Sequence, residues 1–149
     1  MTDQEYKKKQ EAKEWLNRNY HDHTQLEADR RTLEVMENRL GSGVARYESD
    51  GTESHDPDKS RARHEDALLE YSSQCLTVEQ EEKALFKEMI KTRGAIAQLE
   101  ESDLIAVATD RYINRLRWSD IAKLEHVSVS QVYRLHDRVL EKMVKILDL

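Results

Sequence analysis

RWSDIAKLEHVSVSQVYRLHDRVL, residues 117–140, decides how this 149-residue chain is read. Two amphipathic runs flank the short segment HVSVS. In the first, Trp118, Ile121 and Ala122 fall on one helical face, with Leu124 as a further inward candidate. In the second, Val132, Leu135, Val139, Leu140, Met143 and Ile146 line one side of a helix over about residues 129–147. Between them, Ser128-x-x-Gln131 has the form of a capping box, in which each side chain satisfies a backbone amide at the start of a helix. Ala122 is small and central, so two helices can cross closely at it, and Val127 plugs the turn. The stretch predicts a helix-turn-helix.

With that register the leading edge of the second helix is Val129, Ser130, Gln131, Tyr133, Arg134 and Asp137. Gln131 and Arg134 carry the donor and acceptor patterns that match adenine and guanine edges in a major groove. Ser128, Ser130, Arg117 and Lys123 suit phosphate contact, and Arg138, Lys142 and Lys145 lie further along the same helix. Candidate DNA-binding residues are therefore Arg117, Lys123, Ser128, Val129, Ser130, Gln131, Tyr133, Arg134 and Arg138.

Upstream, ESDLIAVATDRYI (101–113) reads as a helix of three turns with Ser102 as its N-cap and Asp103 near the positive end of the helix dipole. Before it the pattern changes. GSGVARYESDGTESHDPDKS (41–60) holds three of the four glycines and the only proline, and predicts a loop between a helix over about 3–40 and another over about 59–99. In the second of these, Leu68, Tyr71, Cys75, Val78, Glu82, Leu85, Met89, Thr92, Ile96 and Leu99 alternate steps of three and four, the spacing of a coiled-coil seam. Glu82 and Thr92 interrupt it; either they fix register, or Phe86 turns into the gap and Glu82 reaches solvent. Ala12, Trp15, Leu16, Leu26, Leu33, Met36 and Leu40 offer a partner stripe, interrupted by Asn19, Asp22 and Asp29; a second chain could equally complete the seam. Gly94 interrupts the second helix, as a kink or a point of close approach.

Composition narrows the classes. The lone Cys75 excludes an internal disulfide and a cysteine-based zinc site. His21 and His23, two apart on a helix, point away from each other and cannot share an ion. No apolar run approaches the roughly 18 residues of a membrane span, and MTDQEYKKKQEAKEW lacks the apolar middle of a signal peptide, so a soluble, cytosolic protein is expected. There is no glycine-rich phosphate loop, nucleophile elbow or paired-carboxylate site, so neither an enzyme nor a cofactor or metal is expected. Net charge is −6, of which residues 100–149 contribute only −1, with 8 basic and 9 acidic side chains. DNA binding by one such unit is expected to be weak, in the micromolar class.

LIAVATDRYINRLRWSDIAKLEHVSVSQVYRLHDRVLEKM (104–143) resembles the region-four helix-turn-helix of bacterial sigma factors, as carried by small phage proteins. Those include the ArpU- and RinA-like regulators and a related streptococcal-phage family. The elements that match are RYIN, WSDIA, VSVSQV and RLHDRVL, with KEWLNRNY and the polar loop in support. The resemblance implies that Val129, Ser130, Gln131, Tyr133 and Arg134 read bases. Sigma factors usually carry charged residues where Val129 and Ser130 stand, so promoter specificity is not transferred.

The expected architecture is all-α: a helical hairpin for oligomerisation over 1–99 and a helix-turn-helix over 100–149. The expected function is a phage or prophage transcriptional regulator that binds double-stranded DNA as a homo-oligomer, with a dimer favoured, and that engages bacterial RNA polymerase. Two alternatives stand beside it. One is a small terminase-like DNA-packaging protein. The other is an interaction protein that docks on polymerase or a regulator without touching DNA.

Overall fold

The computed structural model describes residues 2–49 and 57–149, with the backbone alone over 42–49. Every regular element among them is helical: α1 (Asp3–Asn17), α2 (Tyr20–Ser49), α3 (Pro57–Ala97), α4 (Ser102–Ala108), α5 (Trp118–Leu124) and α6 (Val129–Ile146), with a π-helical turn at Thr109–Ile113. The all-α expectation is met. No helix among the described residues is long and apolar enough to cross a membrane.

The helix expected over 3–40 is two helices. A capping box starts α1: the Glu5 amide donates to Thr2 Oγ1 (3.2 Å) and the Thr2 amide to Glu5 Oε2 (3.0 Å). It ends between two asparagines, which favour local side-chain hydrogen bonds over helix interior. There Arg18 stacks over the Trp15 ring (3.8 Å) and donates to the Trp15 carbonyl (2.9 Å). The same guanidinium donates to the Glu88 carbonyl (3.2 Å) and carboxylate (3.3 Å), tying the end of α1 to the C-terminal part of α3.

The expected loop is shorter than 41–60. α2 continues through Gly41 to Ser49, and α3 starts with Pro57, whose missing N–H costs nothing at a first helical position. The part of that loop over 50–56 lies outside the described residues.

The described residues form two compact units, Met1–Tyr20 with Phe86–Leu149, and His21–Leu85. In the second, α2 runs antiparallel to α3. Gln74 donates to the Asp29 carbonyl (3.0 Å), Arg30 meets Glu82 (2.9 Å), and the Tyr71 hydroxyl donates to Glu37 (2.7 Å). Leu26, Val78 and Leu85 are its buried apolar side chains. Glu82 reaches the surface and pairs there, but Phe86 does not fill its place: it is 64% exposed.

The larger unit joins α1 and the end of α3 to α4–α6, so α1 packs with the C-terminal helices instead of completing the expected hairpin. Its core gathers Ile96 and Leu99 of α3, Leu104 and Val107 of α4, Ile121 of α5, and Val132, Val139 and Met143 of α6. Ala12, Ala95, Ala108 and Ala122 sit in the same cluster, where small side chains let helices approach. Thr92 is buried on the seam and satisfied, its hydroxyl donating to the Glu88 carbonyl (3.2 Å).

Candidate nucleic-acid interface

The turn between α5 and α6 is built by backbone hydrogen bonds that need no glycine. His126 takes a left-handed conformation (φ 56°) just past the end of α5. Its amide donates to the Lys123 carbonyl (3.3 Å), and the next amide, of Val127, reaches back to the Ala122 carbonyl (3.0 Å). This pair of bonds is a Schellman motif, and Val127 packs against the core as the motif's apolar contact. Ser128 then caps α6, accepting the Gln131 amide (3.1 Å). This is the first half of the expected capping box; no bond from the Gln131 side chain back to Ser128 forms. Ser102 does not cap α4: Glu101 occupies that position, without a side-chain cap.

α6 buries Val132, Leu135, His136, Val139, Leu140 and Met143. Turned away from that face, Ser128, Val129, Ser130, Tyr133 and Arg134 are exposed, and Gln131 is half-buried. Arg117 and Lys123 of the α5 region are exposed as well. Within its unit, the expected ridge therefore stands clear. Among the described residues, Arg117, Lys123 and Arg134 have no ion-pair partner. Leu124, a candidate for the core, is 58% exposed instead, because the Schellman turn brings Val127 into the cluster in its place.

Arg138 departs from the expected set. It pairs with Glu101 (2.9 Å), and Lys142 joins the same carboxylate (2.6 Å). The Lys142 hydrogen bond, with Arg138 beside it, holds the Glu101 carboxyl below its usual value. Two cations expected along α6 are thus tied to the start of α4.

Beneath the ridge lies an aromatic cluster. Trp118 packs against Tyr133 (5.3 Å between ring centres) and edge-on to His136 (4.6 Å). Arg111 stacks over the Trp118 ring at 4.4 Å and donates to the Leu116 carbonyl (3.0 Å). His136 shares a hydrogen bond with the Tyr112 hydroxyl. Burial pushes the imidazole down to about 4, helped by the positive charges of Lys13 and Arg111, so it is neutral at physiological pH. Burial also raises the Tyr112 hydroxyl, which keeps its proton. A π-helical turn carries Arg111 and Tyr112: the Asn114 amide bonds five residues back to Thr109 (3.0 Å), and Arg115 is left-handed (φ 60°).

Lys9 is a site residue that the sequence does not mark. This lysine of α1 is 8% exposed and donates to Asp137 (3.0 Å) and Glu141 (3.3 Å) on α6. Burial opposes its charge, but the two carboxylates outweigh that and hold the ammonium above the usual lysine value. The only signal was the run KKKQEAK, which by itself reads as a solvated face. Comparison with protein-family models, curated proteins and solved structures gives no significant match.

Proposed function

We propose that this chain binds double-stranded DNA through the start of α6 and regulates transcription in a phage or prophage setting. The observation that carries the reading is the ridge of Val129, Ser130, Tyr133 and Arg134, exposed on a helix whose opposite face is fully buried and whose turn is fixed by a Schellman motif. In this reading α6 enters a major groove. Arg134 reads guanine, Gln131 reads adenine and Val129 meets a thymine methyl. Ser128, Ser130, Arg117 and Lys123 hold phosphates. The balance of −1 over residues 100–149 limits one unit to micromolar-class affinity, so tight binding calls for avidity or for RNA polymerase as co-partner. Leu69 (66% exposed) and Leu76 (55%) on the hairpin unit support a homodimer as the source of that avidity.

A second reading has one observation in its favour. Leu124, Val129 and Tyr133 put exposed apolar surface around the turn, as expected of a protein that docks on polymerase without reading DNA. Selection of fragments from a bacterial genomic library by the purified protein separates the two. The DNA-binding reading predicts convergence on a shared sequence that is lost with Arg134→Ala. No enrichment, together with retention of polymerase from nuclease-treated lysate, favours docking.

A further inference from the structure

α6 carries an electrostatic conflict. Directly beyond Arg134 on its outward side stand Asp137 and Glu141, each about half exposed at the side chain (51% and 55%). A DNA backbone brought to this ridge would meet two carboxylates. Lys9 of α1 is inserted against both of them. One helical turn later on α1 comes Lys13, which is half-buried and has no ion-pair partner among the described residues. The chain leaving α1 reaches Tyr20, whose carbonyl accepts from Arg115 (3.4 Å) just after the π-helical turn whose Arg111 and Tyr112 meet Trp118 and His136, so the step from Lys9 to Lys13 leads toward the start of the recognition helix. Ala12 and Leu16, both buried in the shared core, hold α1 in this place.

We propose that α1 is part of the DNA-facing surface: Lys13 contacts the phosphodiester backbone beside the α6 ridge, and Lys9 screens Asp137 and Glu141 from it. The inference rests on the DNA-binding reading above. It assigns two roles. Lys13 is a direct phosphate contact. Lys9 is a positioning residue that docks α1 and cancels like-charge repulsion without touching DNA.

The test uses the full chain and a fluorescein-labelled 30-base-pair duplex of mixed sequence, titrated by anisotropy over a range of salt. Backbone contact needs no knowledge of the target site. Lys13→Gln is expected to weaken binding severalfold at low salt and to reduce the slope of log K against log salt by about one. Lys9→Met is expected to weaken binding about tenfold or more, because it leaves two carboxylates unscreened. The triple variant Lys9→Met, Asp137→Asn, Glu141→Gln removes the same ion pairs and the same repulsion, and is expected to return to within about threefold of the wild type. Lys9→Arg keeps the charge and should bind as the wild type does. If Lys9 served folding alone, the triple variant would bind no better than Lys9→Met, which overturns the screening role. Wild-type salt slope in Lys13→Gln overturns the contact. If the wild type itself shows no salt-sensitive binding, the DNA-binding reading fails and this inference with it. If Arg134→Ala weakens binding while the α1 variants do not, only this inference fails.

Discussion

His136 makes the C-terminal unit sensitive to mild acid, and the size of the effect follows from its surroundings. The imidazole is 7% exposed, packed against Trp118 and bonded to Tyr112, and burial lowers its pKa to about 4 from 6.5. Between those values the unfolded chain takes up a proton that the folded chain refuses. Stability is therefore complete above about pH 6.5 and falls as pH drops toward 4, by up to about 1.4 kcal/mol per unit. From pH 7 to pH 5 the loss comes to about 2 kcal/mol. Glu101, held low by Lys142 and Arg138, begins to take up protons only at lower pH and adds little in this window. Glu125, which burial and Asp110 raise, takes up a proton more readily in the folded state and offsets part of the loss. Both tryptophans, Trp15 and Trp118, belong to this unit, so their fluorescence reports on it alone. With a urea m-value of ~2 kcal/mol/M, the midpoint should drop by about 1 M between pH 7 and pH 5. His136→Gln keeps a polar partner for Tyr112 but cannot titrate, so its midpoint should move far less. Equal drops in the two proteins would refute the assignment of the acid sensitivity to His136.

Substitutions at three further positions are informative. Gly94→Ala should raise stability by up to about 1 kcal/mol, since an added Cβ meets nothing within 4 Å and the position is exposed in the last turn of α3; thermal melting followed by circular dichroism measures it. His126→Gly should stabilise by up to about 1 kcal/mol, because glycine takes the left-handed conformation without strain, whereas His126→Val should destabilise; urea titration ranks the three. Glu101→Gln should change stability little, as is usual for surface ion pairs, yet tighten DNA binding severalfold by releasing Arg138 and Lys142. Anisotropy titration reads that gain.

Periodicity carried the α6 side of the fold. Val132, Leu135, Val139, Leu140 and Met143 are buried as their spacing predicts, and Ser128 caps the helix as its position before the stripe predicts. The partner of an apolar stripe is a different matter. Ala12 and Leu16 mark a buried face on α1, but nothing in their spacing says whether α3 or α6 will cover it. Lys9 was illegible for a related reason: a lysine run is solvated unless acids from a distant segment meet it, and Asp137 and Glu141 lie 128 and 132 residues away. Glycine misled in both directions. Gly41 lies within α2, where flanking helix formers outweigh its cost of about 1 kcal/mol. The helix ends of the C-terminal unit use left-handed Glu100, Arg115, His126 and Asp148, which give no glycine signal at all. The ridge at Tyr133 and Arg134 was legible because the buried stripe fixes by elimination what faces outward.

The most direct test of the account is the salt dependence of binding to a duplex that carries the selected sequence, for the wild type and for Arg134→Ala. The predicted result is affinity that falls steeply as salt rises, and a loss with Arg134→Ala of about 1–3 kcal/mol, or roughly 5- to 150-fold, with tryptophan fluorescence unchanged. Binding that ignores both salt and the loss of Arg134 would contradict the claim that the start of α6 is the DNA-reading surface.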